Sequence, residues 1–177
     1  MRLFIGIQLP KTFRRELIRL QTLLKDSSRG GRFTPADNFH ITLHFIGESG
    51  DLSGAAKAVE EAVRGIRPFE LHLGRISGFP RKEGYTAYVQ ALGQLEELNA
   101  LYESLQAALQ EQGFPREQRA FVPHITLGRG VGLEEAALTA LGQIPANASM
   151  QVQEITLFES QRQGRGMVYL PLHRARI

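Results

Sequence analysis

The chain of 177 residues contains no cysteine. That one absence excludes disulfides, thiolate metal sites and cysteine nucleophiles together, and it is compatible with a reducing compartment. No stretch approaches the roughly 18 uncharged apolar residues of a membrane span. The apolar run from Leu3 to Leu9 is too short for a secretory leader and alternates like a strand. The expectation is therefore a cytoplasmic protein with no membrane partner. Low-complexity segments and long linkers are missing as well, and the length fits one domain spanning 1–177. Charge of one sign is in small excess only. The net +3 favours an anionic partner without the concentrated basic tract of a non-specific nucleic-acid binder.

What the chain does have is a repeated tetrapeptide. His40-Ile41-Thr42-Leu43 recurs as His124-Ile125-Thr126-Leu127, 84 positions later and so close to half the chain away. Each copy alternates polar and apolar side chains and carries β-branched residues, which predicts a β-strand. Side chains on a strand point alternately to its two faces, so each histidine shares a face with its threonine.

The rest of the pattern is α+β. Strands are predicted over Arg2–Gln8, Phe39–Ile46, Phe69–Leu73, Tyr85–Gln90, Phe121–Leu127, Met150–Phe158 (with a bulge near Glu154) and Met167–Leu172. The segment Gly78 to Gly84 is turn-rich. Helices are predicted after Pro10, with the stripe Phe13, Leu17, Leu20 and Leu24; over Leu52–Arg64 behind Asp51; from Leu95 to Leu109; and over Leu133–Leu141. Each motif strand is followed by a helix and further strands, which suggests a duplication that produced two similar lobes.

Two histidines and two threonines facing one space suit a phosphodiester. An attacking oxygen must lose a proton and a departing oxygen must gain one. Histidine serves either task because its ordinary pKa of about 6.5 leaves both forms available. Each threonine hydroxyl sits about 6.6 Å along the strand from its histidine, within reach of a non-bridging phosphate oxygen. The scheme uses no metal and no cofactor.

The residues around the motifs carry a resemblance. Phe39 to Glu48 and Phe121 to Arg129 are similar to the two signatures of the 2H phosphoesterase superfamily, and within it to the RNA 2′,3′-cyclic phosphodiesterases, also called 2′-5′ RNA ligases. Arg2-Leu3-Phe4-Ile5-Gly6-Ile7 and Leu157-Phe158-Glu159-Ser160 resemble the same branch. The resemblance implies a bilobal α+β fold, two pseudo-symmetric lobes of mainly antiparallel sheet with outer helices and a central cleft. It implies His40 as proton donor, His124 as proton acceptor, and Thr42, Thr126 and Arg129 as phosphate-binding residues. It further implies hydrolysis of RNA 2′,3′-cyclic phosphate ends to 2′-phosphates, with 2′-5′ ligation as the related reaction. Two positions depart from the family's pattern: His44 stands where lysine is common, and Phe33 where tryptophan is usual.

Other residues carry weaker signals. Strict alternation places His44 on the face of His40, either at the edge of the cleft or in solvent. His72 and His173 read as structural or exposed. Arg129 needs a bend at Gly128 or Gly130 to turn toward His124. Three basic loops, Arg81-Lys82, Arg116 with Arg119, and Arg162 with Arg165, are either an RNA-attracting rim or ordinary solvated charge. Phe79, Phe114 and Phe121 suit core packing, with base stacking as the other reading. Two competing functions remain. A metallohydrolase would use both histidines as ligands, but no carboxylate stands near either at a familiar ligand spacing. A non-catalytic RNA-binding module would have no need of both motifs. Nothing in the pattern demands an oligomer, so a monomer is expected.

Overall fold

The computed structural model describes all residues, 1–177. Nine strands and four α-helices follow in the order β1 (Arg2–Gln8), α1 (Lys11–Ser27), β2 (Arg32–Phe33), β3 (His40–Glu48), α2 (Leu52–Ala62), β4 (Phe69–Arg81), β5 (Gly84–Gly93), α3 (Leu95–Glu111), β6 (His124–Val131), α4 (Glu135–Leu141), β7 (Ser149–Val152), β8 (Glu154–Gln163) and β9 (Gly166–Arg176). A single 3-10 turn, Ala36–Asn38, leads into β3.

The strands form two sheets, β3-β1-β8-β9 and β2-β6-β5-β4-β7. Every pairing in them is antiparallel. Apart from the short strands β2 and β7, the order strand–helix–motif strand–helix–strand occurs twice, once from β1 to β4 and again from β5 to β8. The lobes are not the two halves of the chain, however. β4, from the first half, pairs with β5 in the second sheet, and β8, from the second half, pairs with β1 in the first. Each half thus completes the other's sheet, and one cluster of 37 buried residues draws on both halves.

The helices follow their apolar stripes. α1 buries Phe13, Leu17, Leu20 and Leu24; α3 buries Leu98, Leu101, Leu105 and Leu109. The Asp51 side chain accepts a hydrogen bond from the Gly54 amide at 2.8 Å and caps α2. Gly113, at φ +87°, ends the α3 region in the left-handed conformation that glycine adopts without strain.

Several strand boundaries differ from the sequence expectation: β5 and β9 run on to Gly93 and Arg176, β2 is additional to the strands expected, and three further differences have a clear cause. The turn-rich stretch 78–84 continues β4 up to Arg81 and closes on β5 through Lys82 and Glu83. Pro80 is tolerated there because β7 covers only Phe69 to His72, so β4 beyond them is an open edge and loses no ladder hydrogen bond. Met150–Phe158 is not one strand. β7 pairs with β4, β8 pairs with β1, and the chain changes sheets at Gln153. The break in apolar alternation at Glu154 marks that crossing rather than a bulge. The second motif strand begins at His124 rather than Phe121. Phe121 instead stacks on Tyr102 at 4.3 Å between ring centres.

Candidate active site

β3 lies at the edge of the first sheet and is in contact with β6 of the second. The two motifs are therefore brought together at the junction of the sheets. In register, His40 faces Gln8 of β1 and His124 faces Gln90 of β5, so the two histidines occupy equivalent places in their sheets. Thr42 faces Gly6. A methyl group on Gly6 would lie 2.7 Å from the Ile41 carbonyl oxygen and 3.5 Å from the His40 ring. Only glycine permits that approach of β1 to β3 beneath the imidazole.

Both imidazoles are held the same way. His40 Nδ1 donates to the Asn38 carbonyl at 2.7 Å, and His124 Nδ1 donates to the Val122 carbonyl at 2.6 Å. In each case the acceptor stands two residues earlier. A carbonyl cannot donate, so the neutral rings carry their proton on Nδ1 and leave Nε2 free to accept. His40 Nε2 accepts from the Thr42 hydroxyl at 2.8 Å. His124 Nε2 has no protein hydrogen-bond partner.

Aromatic rings wall both histidines. On the first sheet Phe4 lies 5.0 Å from His40, and Tyr169 meets His40 edge-on at 5.2 Å. On the second, Phe79 and Tyr88 meet His124 at 5.6 and 5.2 Å. Burial pushes both imidazoles below the usual histidine pKa, against the opposing effect of the carbonyl bonds. The positive charge of Arg129 lowers both further, and His124 lowers His40. The contact of β3 with β6 brings the three groups to the same junction of the sheets.

The same local irregularity follows each motif. Leu43 is an extra residue in the pairing of β3 with β1, since Thr42 faces Gly6 while His44 faces Ile5. Leu127 is extra in the pairing of β6 with β5, since Thr126 faces Tyr88 while Gly128 faces Ala87. These bulges reverse the side-chain alternation downstream. Phe45, 54% exposed, joins the face of His40, with its ring 5.7 Å from Phe4. Arg129 likewise turns onto the face of Thr126, which is the bend that the sequence required of it.

The bulge corrects the expectation for His44. It is neither at the cleft edge nor in solvent but 6% exposed, with Nδ1 accepting a hydrogen bond from Gln106 Nε2 at 2.9 Å. His72 is exposed, and His173 pairs with Glu60 at 2.7 Å on α2, outside the cleft. Arg116 and Arg119 are engaged by Glu103 and Glu117, which removes one of the three basic loops from a free rim. Phe114 packs against the core. The site residues that sequence reasoning missed are Phe45, Phe4, Tyr88 and Tyr169. A bulge depends on the partner strand, so strict alternation gave no sign of Phe45. The structure contains no group of three or more histidine, aspartate or glutamate side chains able to hold a metal ion.

Comparison with known proteins agrees with this geometry. The family profile described as the 2′-5′ RNA ligase superfamily matches residues 10–164. The RNA 2′,3′-cyclic phosphodiesterase of Methanothermobacter thermautotrophicus is 29% identical over 174 residues, covering 95% of this chain and 94% of its own. That of Thermotoga maritima is 30% identical over 131 residues, covering 73% and 70%. Among solved structures, TT0787 of Thermus thermophilus superposes with a TM-score of 0.80 at 26% identity, over 99% of this chain and 97% of that one. Escherichia coli LigT in apo form gives 0.79 at 27% identity, over 99% and 96%; LigT has also been solved with 3′-AMP. Two histidine–threonine strands in equivalent register, the α+β architecture and the near full-length match lead to one conclusion: the chain belongs to the 2′-5′ RNA ligase superfamily.

Proposed function

We propose that this protein is an RNA 2′,3′-cyclic phosphodiesterase whose two motif histidines move the protons. The observation that carries the reading is the matched pair of imidazoles, each with Nδ1 tied to a carbonyl two residues back. Their Nε2 atoms are thereby reserved for chemistry, in a setting where each ring feels Arg129. The names of the relatives point to the same substrate class.

In this reading the cyclic phosphate sits between the two rings. His124 Nε2, which has no protein partner, takes a proton from a water as the water oxygen bonds to phosphorus. His40, protonated at Nε2, gives its proton to O3′ as the P–O3′ bond breaks. The products are a 2′-phosphate and a 3′-hydroxyl, and the protons balance across the two histidines. The Thr42 hydroxyl turns from His40 toward a non-bridging oxygen when His40 carries its proton on Nε2. Thr126 donates to the same phosphate, and the Arg129 guanidinium offsets charge building on its oxygens. Phe45 offers an open aromatic face to the terminal base. A ribose 5′-hydroxyl in place of the water would give a 2′-5′ linkage by the same proton movements.

The test is a short oligoribonucleotide ending in 2′,3′-cyclic phosphate, incubated with EDTA, with the product ends identified. A 2′-phosphate end formed in the chelator is expected. His40→Ala and His124→Ala should each lose on the order of 10² to 10⁴ in rate. Full activity in either variant, or RNA binding with no product from the wild type, would exclude the proposal.

A further inference from the structure

Two hairpins end in basic residues that nothing in the fold neutralises. The β4–β5 hairpin turns just after Arg81, at Lys82 and Glu83. The β8–β9 hairpin turns just after Arg162 and Gln163, at Gly164 and Arg165. All four basic side chains are exposed, and none has an ion-pair partner, unlike Arg116 and Arg119. Glu83 is the single acid in the two turns, which leaves both tips net positive.

Each tip is built next to one of the histidines. The Arg81 guanidinium carbon lies 5.5 Å from the centre of the Phe79 ring, which stacks on Tyr88 at 4.4 Å and meets His124 edge-on at 5.6 Å. In the other lobe Arg162 faces Met167 across the hairpin. The Met167 carbonyl accepts from Asn38 Nδ2 at 2.9 Å, and the Asn38 carbonyl in turn holds His40 Nδ1. The two hairpins therefore stand on opposite lobes, with Arg81 linked to His124 through Phe79, and Arg162 to His40 through Met167 and Asn38.

An RNA strand whose cyclic phosphate lies between the histidines carries a further phosphodiester at each nucleotide on its 5′ side. We propose that the two hairpin tips are paired cationic jaws that hold those upstream phosphodiesters, so that the protein selects an oligoribonucleotide over a mononucleoside cyclic phosphate. The inference rests on the activity proposed above and adds the length of substrate that the site reads. Exposed cation–phosphate contacts are individually weak and screened by salt. On a single strand each neutralised phosphate adds about −0.7 to the slope of log affinity against log salt.

The experiment compares kcat/KM for a mononucleoside 2′,3′-cyclic phosphate and for a short oligoribonucleotide with the same end. At low salt the wild type is expected to favour the oligonucleotide on the order of tenfold. If each tip holds one phosphate, that advantage falls with a log–log salt slope of about −1.4. Arg81→Ala with Lys82→Ala, and Arg162→Ala with Arg165→Ala, should each remove part of the preference and together abolish it, with the mononucleotide rate unchanged. Arg162→Lys with Arg165→Lys should retain it. Removing Arg64 and Arg67, near the opposite end of β4, should have no effect on it. Equal kcat/KM for the two substrates, or tip variants that slow both alike, would overturn the jaws and leave the activity standing. Turnover of neither substrate would overturn the activity itself, and the jaws with it.

Discussion

Phe45 and Arg129 hold the same position in the two halves of this fold. Each follows its motif histidine by five residues, and each reaches the cleft face because the motif leucine, Leu43 or Leu127, is an extra residue in the pairing. One bulge presents an exposed aromatic ring on the face of His40, against Phe4, and the other presents a cation whose charge lowers the pKa of both histidines. The duplicated backbone device thus delivers two different chemistries. An aromatic face suits a base, and a guanidinium suits a phosphate.

Replacing Arg129 by glutamine should therefore act on protons as well as on binding. Its charge lowers the pKa of both imidazoles, so its removal should raise both and move both limbs of the pH profile of kcat/KM upward. In the wild type those limbs are expected at or below the ordinary histidine value of 6.5, because both shifts are downward. Loss of a charge-assisted contact to phosphate should also lower kcat/KM by roughly 10- to 100-fold, equivalent to about 1.5–3 kcal/mol. Limbs that stay in place while KM rises would show that the guanidinium binds without tuning the histidines.

Phe45 is open to solvent, so its truncation should cost function more than stability. Base–aromatic stacking is worth about 1–3 kcal/mol by alanine substitution. Phe45→Ala is then expected to lower kcat/KM for a nucleoside 2′,3′-cyclic phosphate by roughly 5- to 150-fold, while Phe45→Tyr stays near wild type. Ribose 2′,3′-cyclic phosphate has no base and should be hydrolysed equally by wild type and variant. If alanine slows that substrate to the same degree, the ring serves the phosphate site and not the base.

How much of this was legible in the sequence depends on whether a feature is local. The helices follow from apolar stripes such as Leu98, Leu101, Leu105 and Leu109, and the motif strands from their alternation, because each pattern is complete within one segment. The meeting of the two motif strands, β3 and β6, was legible because the tetrapeptide repeats. The burial of His44 was not, because the bulge at Leu43 exists only against β1. The crossing at Gln153 was hidden for a similar reason. Phe69–His72 and Leu3–Gly6 compete for adjacent stretches of chain, and only the assembled sheets decide which strand takes which partner.

Acid should destabilise the protein before its carboxylates titrate. His40, His44 and His124 all have folded-state pKa values below the ordinary 6.5, chiefly through burial. The unfolded chain therefore binds more protons than the folded one as pH falls below 6.5, and stability declines through that window. Glu16 and Glu117, also lowered, act only beneath their ordinary value of 4.5. Melting temperature should thus be flat between pH 7 and 8 and fall between about pH 6.5 and 5.5. His44→Leu, which removes one titrating group, should show a shallower fall. A profile flat through that range would mean that the three rings protonate in place without strain.

Gln106 offers the sharpest test of how the two motifs are held in relation to one another. It lies on α3, fully buried, and bonds in two directions. Its Nε2 donates to His44 Nδ1 on β3 at 2.9 Å, and its Oε1 accepts from the Glu117 amide at 2.9 Å, in the loop that leads to His124. Because the amide donates to His44 Nδ1, the ring proton must sit on Nε2, and protonation of Nδ1 would break the bond. Gln106→Leu leaves an imidazole nitrogen and a backbone amide without partners, which should cost about 1–3 kcal/mol for each group left buried. For a chain of this size each kcal/mol lowers Tm by about 2–4 °C. Adding His44→Leu removes one of the two orphans, so the double variant should recover part of the loss, a non-additivity expected of residues in direct contact. Strictly additive losses in the two single variants and the double would mean that the buried amide and imidazole stabilise the fold independently and do not tie β3 to the approach of β6.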